Sequence, residues 1–253
     1  MSSLLKVLVF VGLCSADVLT ENKPKNILFL VADDMRPEIN AYLGPDFPSP
    51  VHPQMVTPNL DKLASKSLVL QRAYVSVAVC SPSRTSLLTG RRPDTTHVYD
   101  IGPYFREVGG NFTTLPQYFK RHGYRTIGIG KIFHPGASSG GDDPISWTEP
   151  YFTGANNWAD AYRFAINPID DAILEKNPLQ DQLIAQHAVE TLKKVAPAAK
   201  SGEKPFFVAV GFHRGFRGCS VYDPLLLWLS GCVTFGLRTG TPGKNTTISY
   251  FSD

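Results

Sequence analysis

The chain has 253 residues, of which 43% are hydrophobic, 11% aromatic and 19% charged. That balance can build a buried core and excludes a chain disordered throughout, while 21 glycines and 4 cysteines exclude a collagen repeat and a small disulfide scaffold. A formal net charge of +3 is too mild to point to nucleic acid and leaves room for an anionic substrate.

Residues 1–16 carry a single lysine, an apolar run over 7–13, and the small residues Cys14, Ser15 and Ala16 before Asp17. This is the pattern of a signal peptide cut after Ala16, with a buried N-terminal strand as the other reading. Neither this run nor the apolar stretch at 224–235 is long enough to cross a bilayer, so no membrane span is expected. The sequons at Asn111 and Asn245 fit a secretory route. Removal of the leader takes Cys14 away and leaves Cys80, Cys219 and Cys232, an odd set for an oxidising compartment.

Residues 26–32 form a continuous apolar run, as expected of a strand covered on both faces, and end in Asp33-Asp34. Thr57-Pro58 opens a helix striped by Leu60, Leu63 and Ala64. Residues 67–74 read as a second strand, and 81–89 as a short helix closed by Gly90. A helix over 115–121 stops at Gly123, and a strand over 124–130 leads to Lys131. Residues 135–176 have weak periodicity and read as a surface excursion. The longest helix spans 178–195, with His187 on its apolar face, and a last buried strand at 205–211 leads to His213. Strands alternating with helices predict an α/β fold with a mostly parallel central sheet and helices on both faces.

In open sheets of this class the ligand crevice lies beyond the carboxyl ends of the strands. Asp33, Asp34, Lys131 and His213 each stand at such an end. If those strands are neighbours, two carboxylates, an ammonium and an imidazole converge on one edge; ordinary polar strand-end turns are the competing reading. Between them in sequence lies the segment 80–90, Cys-Ser-Pro-Ser-Arg-Thr-Ser-Leu-Leu-Thr-Gly. Cys80 falls where a helix begins, Pro82 is tolerated in the first turn, and helix N-termini attract anions. Arg84 adds a permanently charged donor fork suited to tetrahedral oxyanions. The residues alone leave open whether Cys80 is a nucleophile, an inert buried thiol or half of a disulfide.

Cys80-x-Pro82-Ser83-Arg84 with the Leu88-Thr89-Gly90 ending resembles the signature of the type I sulfatases, of alkaline-phosphatase-like fold, and the likeness runs from about Asn26 to His213. Residues 90–96, 111–124 and 130–136 look most like the branch that acts on iduronate 2-sulfate in glycosaminoglycans. The resemblance implies a sulfuric ester hydrolase in which Cys80 is oxidised to Cα-formylglycine by the formylglycine-generating enzyme of the endoplasmic reticulum. A hydrated aldehyde offers one hydroxyl to attack sulfur and a second whose deprotonation releases sulfate, which splits one hard step into two. It further implies Ca²⁺, or Mg²⁺, held by Asp33, Asp34, residue 80 and Asp253. Arg84, Lys131 and His134 would bind sulfate or steady the nucleophile, and His213 would act as acid–base group or sulfate contact. With Cys80 removed from the thiol count, Cys219 and Cys232 are left to pair or not. A lysosomal or secreted destination follows from the same likeness.

The sequence departs from the family after His213, where Arg214-Gly215-Phe216-Arg217 replaces a Lys-Pro-His type of segment. Three units are therefore expected: the leader 1–16, an N-terminal α/β domain over 17–218, and a divergent tail over 219–253 that ends in a returning strand bearing Asp253. By this resemblance the family's C-terminal part is expected to be missing, an expectation that also admits an inactive sulfatase fragment. A related phosphoester or phosphonate hydrolase is the remaining alternative, because the same layout serves tetrahedral phosphorus.

Overall fold

The computed structural model describes residues 24–35, 39–42, 56–154, 171–176 and 178–213. The leader, the tail with Asp253 and Asn245, and Cys219 and Cys232 lie outside the described residues.

A parallel sheet of 3 strands, β1 (Ile27–Ala32), β2 (Arg125–Gly130) and β3 (Phe206–Phe212), runs in the order β1-β3-β2. The central β3 is buried on both faces, and the period of two along a strand sends its side chains into separate cores. Phe207 and Ala209 join Phe29, Val31, Leu88, Phe105, Phe133 and Trp147 on one side. Phe206, Val208 and Val210 join Ile127, Ile129, Ile184, Ala188 and Val195 on the other. The edge strand β1 departs from the expectation of two covered faces, since Leu30 is 38% exposed.

Seven α-helices follow the strands or link them among the described residues: α1 (Pro58–Ala64), α2 (Cys80–Thr89), α3 (Pro93–Thr96), α4 (Phe105–Val108), α5 (Leu115–Arg121), α6 (Asp171–Lys176) and α7 (Gln180–Ser201). α2 and α5 support one face of the sheet and α7 the other, which is the layered α/β arrangement the sequence predicts. α5 is held at its start by a capping box, in which the Thr114 hydroxyl accepts from the Gln117 N–H and the Gln117 side chain accepts from the Thr114 N–H. α7 runs past 195 through Pro197 to Ser201 and ends at Gly202, whose φ of 81° is the left-handed conformation glycine adopts without cost.

Two expectations are corrected. Residues 67–74 form no strand: the chain bends at Gln71 and Arg72, Leu68 and Tyr74 are exposed, and no described strand offers ladder partners. β-propensity without a pairing edge does not make a strand. The stretch 138–147, inside the expected surface excursion 135–176, is partly built into the interior. Ser139, Asp143, Ser146 and Trp147 are buried, and the Trp147 indole N–H donates to the Asp142 carbonyl at 2.8 Å. Asp143 organises this loop by accepting from Arg106 Nε (2.6 Å) and Nη2 (2.9 Å), from the Tyr104 hydroxyl and from the Ser146 hydroxyl. A buried carboxylate fully supplied with donors replaces the apolar stripe that periodicity looks for.

Candidate active site

Parallel register brings the strand ends together. The Asp33 N–H donates to the Phe212 carbonyl (3.2 Å) and the Lys131 N–H to the Gly211 carbonyl (2.8 Å), so both residues are pinned to the end of β3. The backbones approach so closely there that a Cβ on Gly130, at φ 74°, would overlap the Gly211 carbonyl, and one on Gly211 would overlap the Lys131 carbonyl. Glycine at both positions lets Lys131 turn in towards Asp33.

α2 supplies the other half. Its N-cap, Val79, makes no side-chain capping bond, which leaves the first-turn amides to other partners. Cys80 and Arg84, four residues apart, project on one face of α2. The Cys80 Sγ lies 3.8 Å from Asp33 Oδ1 and 3.6 Å from Lys131 Nζ. Arg84 is 1% exposed; its Nη2 donates to Asp33 Oδ1 (2.5 Å) and its Nη1 to the carbonyls of Lys131 (2.5 Å) and Ile132 (3.1 Å). Asp33 Oδ2 pairs with Lys131 Nζ. Burial pushes the Asp33 carboxyl up, but the Arg84 and Lys131 cations outweigh it and hold the group below the ordinary carboxylate value.

Asp34 is exposed and sits at φ 51°, a left-handed conformation that aspartate tolerates better than most residues. One oxygen from Asp33, one from Asp34 and the Cys80 sulfur lie within 4.8 Å of one another. The two carboxylates suit a hard cation such as Ca²⁺ or Mg²⁺, whereas a thiol sulfur does not. Residue 80 fits that ligand set once oxygen replaces its sulfur.

His134 stands beside this cluster. Its Nδ1 is buried without a hydrogen-bond partner, and burial, then the nearby Lys131 and Arg84 cations, hold its pKa below the usual histidine value against the pull of Asp33. His213 reaches the same sheet edge but faces α7. Its N–H donates to Asp181 Oδ1 (2.8 Å), its Nδ1 lies 3.6 Å from that oxygen, and its Nε2 lies 3.4 Å from Gln180 Nε2. The structure therefore gathers Asp33, Asp34, Cys80, Arg84 and Lys131, sets His134 next to them, and holds His213 against the start of α7. Asn111 is exposed on the loop before α5, its Oδ1 accepting from Arg106 Nη1 at 2.5 Å. His187 stacks on Phe152 at 3.9 Å, while His97 and His122 are exposed.

Three residues near the site escaped the sequence reading. Asp181 anchors His213 from the opposite element, and an acid in the first turn of a helix reads as routine dipole compensation. The Tyr151 hydroxyl donates to the Gly130 carbonyl (2.5 Å) and accepts from the Ile132 N–H (3.1 Å), clamping the chain on both sides of Lys131. Asp142 is buried at φ 61°; burial pushes its carboxyl up to about 6, with His213 pulling the other way. The Gly140-Gly141 pair before it is the sole sequence signal for such a turn.

A family model described as Sulfatase matches residues 25–219. Human iduronate 2-sulfatase is 39% identical over 202 residues, covering 75% of this chain and 34% of that protein. Its mouse counterpart is 40% identical over the same number of residues and the same shares. The crystal structure of the phosphonate monoester hydrolase of Agrobacterium radiobacter superposes with a TM-score of 0.50 at 19% identity, covering 76% of this chain and 41% of that one, a likeness of fold. The chain spans about a third of the length of the curated relatives named here. No described helix is long and apolar enough to cross a membrane.

Proposed function

Because the chain belongs to the sulfatase family, we propose that it hydrolyses a sulfate ester on a glycosaminoglycan sugar of the iduronate 2-sulfate type, with residue 80 as the reacting group. The observation that carries this reading is the seat of Cys80 at the open N-terminus of α2, within 4 Å of both Asp33 and Lys131. Conversion of Cys80 to formylglycine would supply a hydroxyl nucleophile and a second hydroxyl for sulfate release, and a divalent cation on Asp33, Asp34 and residue 80, with Asp253 as a further ligand, would supply the charge that eases deprotonation.

The chain's own groups do the rest. The Lys131 ammonium, fixed by Asp33, points its charge at residue 80 and binds a sulfate oxygen. Arg84 is too deeply tied to two carbonyls and Asp33 to swing out, so it acts as a fixed positive charge behind the nucleophile. The first-turn amides of α2 add donors for the same anion. His134, its pKa held low, serves as a neutral donor beside the sulfate. His213 is the candidate to protonate the leaving alcohol, and Asp181 fixes its position. The reading carries with it passage through the secretory pathway to a lysosomal or extracellular destination, maturation by the formylglycine-generating enzyme, and glycosylation at Asn111 and Asn245.

Mass spectrometry of the peptide containing residue 80, from chain secreted by cells that hold the converting enzyme, tests the proposal directly. Formylglycine at residue 80, with turnover of an aryl sulfate that Cys80→Ala abolishes, is the expected result. An unmodified thiol and no turnover at high protein concentration would leave only an inactive member of the family.

A further inference from the structure

Upstream of residue 80, an open surface pocket of about 430 Å³ is lined by Ser76, Val77, Arg92, Asp94 and Tyr99. Its volume is that of a small-ligand pocket. Within the described residues, no hydrogen bond or ion pair engages the Arg92 guanidinium, the Asp94 carboxylate or the Tyr99 hydroxyl. The neighbouring Arg91 makes the contrast plain: its Nη1 donates to the Thr89 carbonyl (3.0 Å) and its guanidinium lies over the Phe112 ring (4.5 Å). One arginine of the pair is tied to the fold, whereas Arg92, exposed like Asp94, is left among the residues that line the pocket.

The backbone that carries Arg92 and Asp94 is held in a hydrogen-bonded turn. The Arg92 carbonyl accepts from the N–H groups of Thr95 (2.9 Å) and Thr96 (3.1 Å), and Pro93 fixes the turn between Arg92 and Asp94. Tyr99 leaves 60% of its surface exposed, an open aromatic face beside a cation and a carboxylate. A purely apolar ligand would waste both charges, and a bare anion would meet Asp94. A sugar that carries an anionic group uses all three: its hydroxyls donate to Asp94, its carboxylate or sulfate takes the Arg92 fork, and its ring lies on Tyr99. The distance suits a neighbouring sugar too, because Val77 precedes Cys80 by three residues and lies at most about 11 Å from it along the chain.

Resting on the sulfatase reading, we propose that this cavity is a second sugar subsite, which holds an anionic residue of the same glycan next to the one whose sulfate reaches residue 80. The test is calorimetric titration of the full chain carrying Cys80→Ala, using a sulfated, uronate-containing tetrasaccharide and, separately, inorganic sulfate. Arg92→Gln and Tyr99→Ala, each added to that chain, are expected to weaken tetrasaccharide binding by roughly fivefold or more, and by more than they weaken sulfate binding. Matching thermal melts establish that the variants are folded. Tetrasaccharide affinities equal across the three chains, a drop no larger than that for sulfate, or no tetrasaccharide binding at all would overturn the subsite. Sulfate that fails to bind, with tetrasaccharide still captured through Arg92 and Tyr99, would count against the site at residue 80 and uphold the subsite.

Discussion

Lys131 and Asp33, 98 positions apart in sequence, form a largely buried ion pair because each is the first residue after a strand flanking β3. The pair inherits its geometry from backbone register, and Arg84 completes it from α2 as a second cation on the other Asp33 oxygen. Asp33 is thereby neutralised by two cations, and the Asp34 carboxylate balances the cluster, so the added positive charge that binding an anion calls for would come from a cation on Asp33 and Asp34.

Arg84 is the member of this group whose loss damages the fold most. Its guanidinium satisfies two backbone carbonyls besides Asp33, and all of these lie in the interior. Arg84→Ala leaves those acceptors unsupplied, and breaking a buried pair from one side costs about 3–5 kcal/mol. Arg84→Lys keeps the charge but lacks the fork, so it recovers only part of the loss. Urea unfolding of the three chains measures this; equal midpoints for Arg84→Ala and the parent chain would refute the structural role.

β1 and β3 were legible because each is a continuous apolar run, and Asp33, Asp34, Lys131 and His213 were legible because they stand where the expected strands stop. α5 was legible through its glycine stop at Gly123. α2 was found by punctuation alone: it buries Ser81, Ser83, Arg84, Thr85 and Thr89 beside Leu88, so it has no apolar stripe to detect. The loop over 135–154 was misread for a related reason. Its packing rests on Asp143 and its donors and on left-handed turns at Asp142 and Asp143, neither of which has a periodicity. Asp181 escaped because partners across the sheet edge are set by tertiary contact, not by spacing. The stretch 67–74 misled in the opposite sense, offering strand-like residues with no edge to join.

Asp142 gives the chain a pH response with a definite sign. Its folded pKa, pushed up to about 6, exceeds the ordinary 3.8, so the fold favours the protonated acid. Below the ordinary value both states hold the proton and nothing is lost. Between the two values the native state is progressively penalised, and above about 6 the full cost of about 3 kcal/mol applies. Asp33, whose pKa is lowered, works the other way: its contribution is present above the ordinary value and lost as pH falls through the folded one. Asp142→Asn removes the penalty and keeps a residue that tolerates positive φ. Its stability in urea is expected to exceed the parent's by up to about 3 kcal/mol at pH 7.5, with the difference closing towards pH 4. A gain independent of pH, or none at pH 7.5, would show that burial does not raise the Asp142 pKa.

Asp33 and Asp34 are neighbours with separable duties, and metal titration distinguishes them. Asp33 is buried between two cations, so Asp33→Asn strips charge from Arg84 and Lys131 and destabilises the chain whether or not a cation is added. Asp34 is exposed and contributes one oxygen to the cluster with Asp33 and residue 80. Asp34→Asn preserves the left-handed turn and removes a single negative charge from the ligand set. The expected outcome is a Ca²⁺ affinity lower by about tenfold or more in calorimetry. The thermal stability of the same variant without added cation should stay within about 0.5 kcal/mol of the parent, as for other exposed positions. Ca²⁺ binding that survives this substitution unchanged would remove Asp34 from the metal site, and a large loss of stability without cation would mean that the Asp34 carboxylate holds the turn itself.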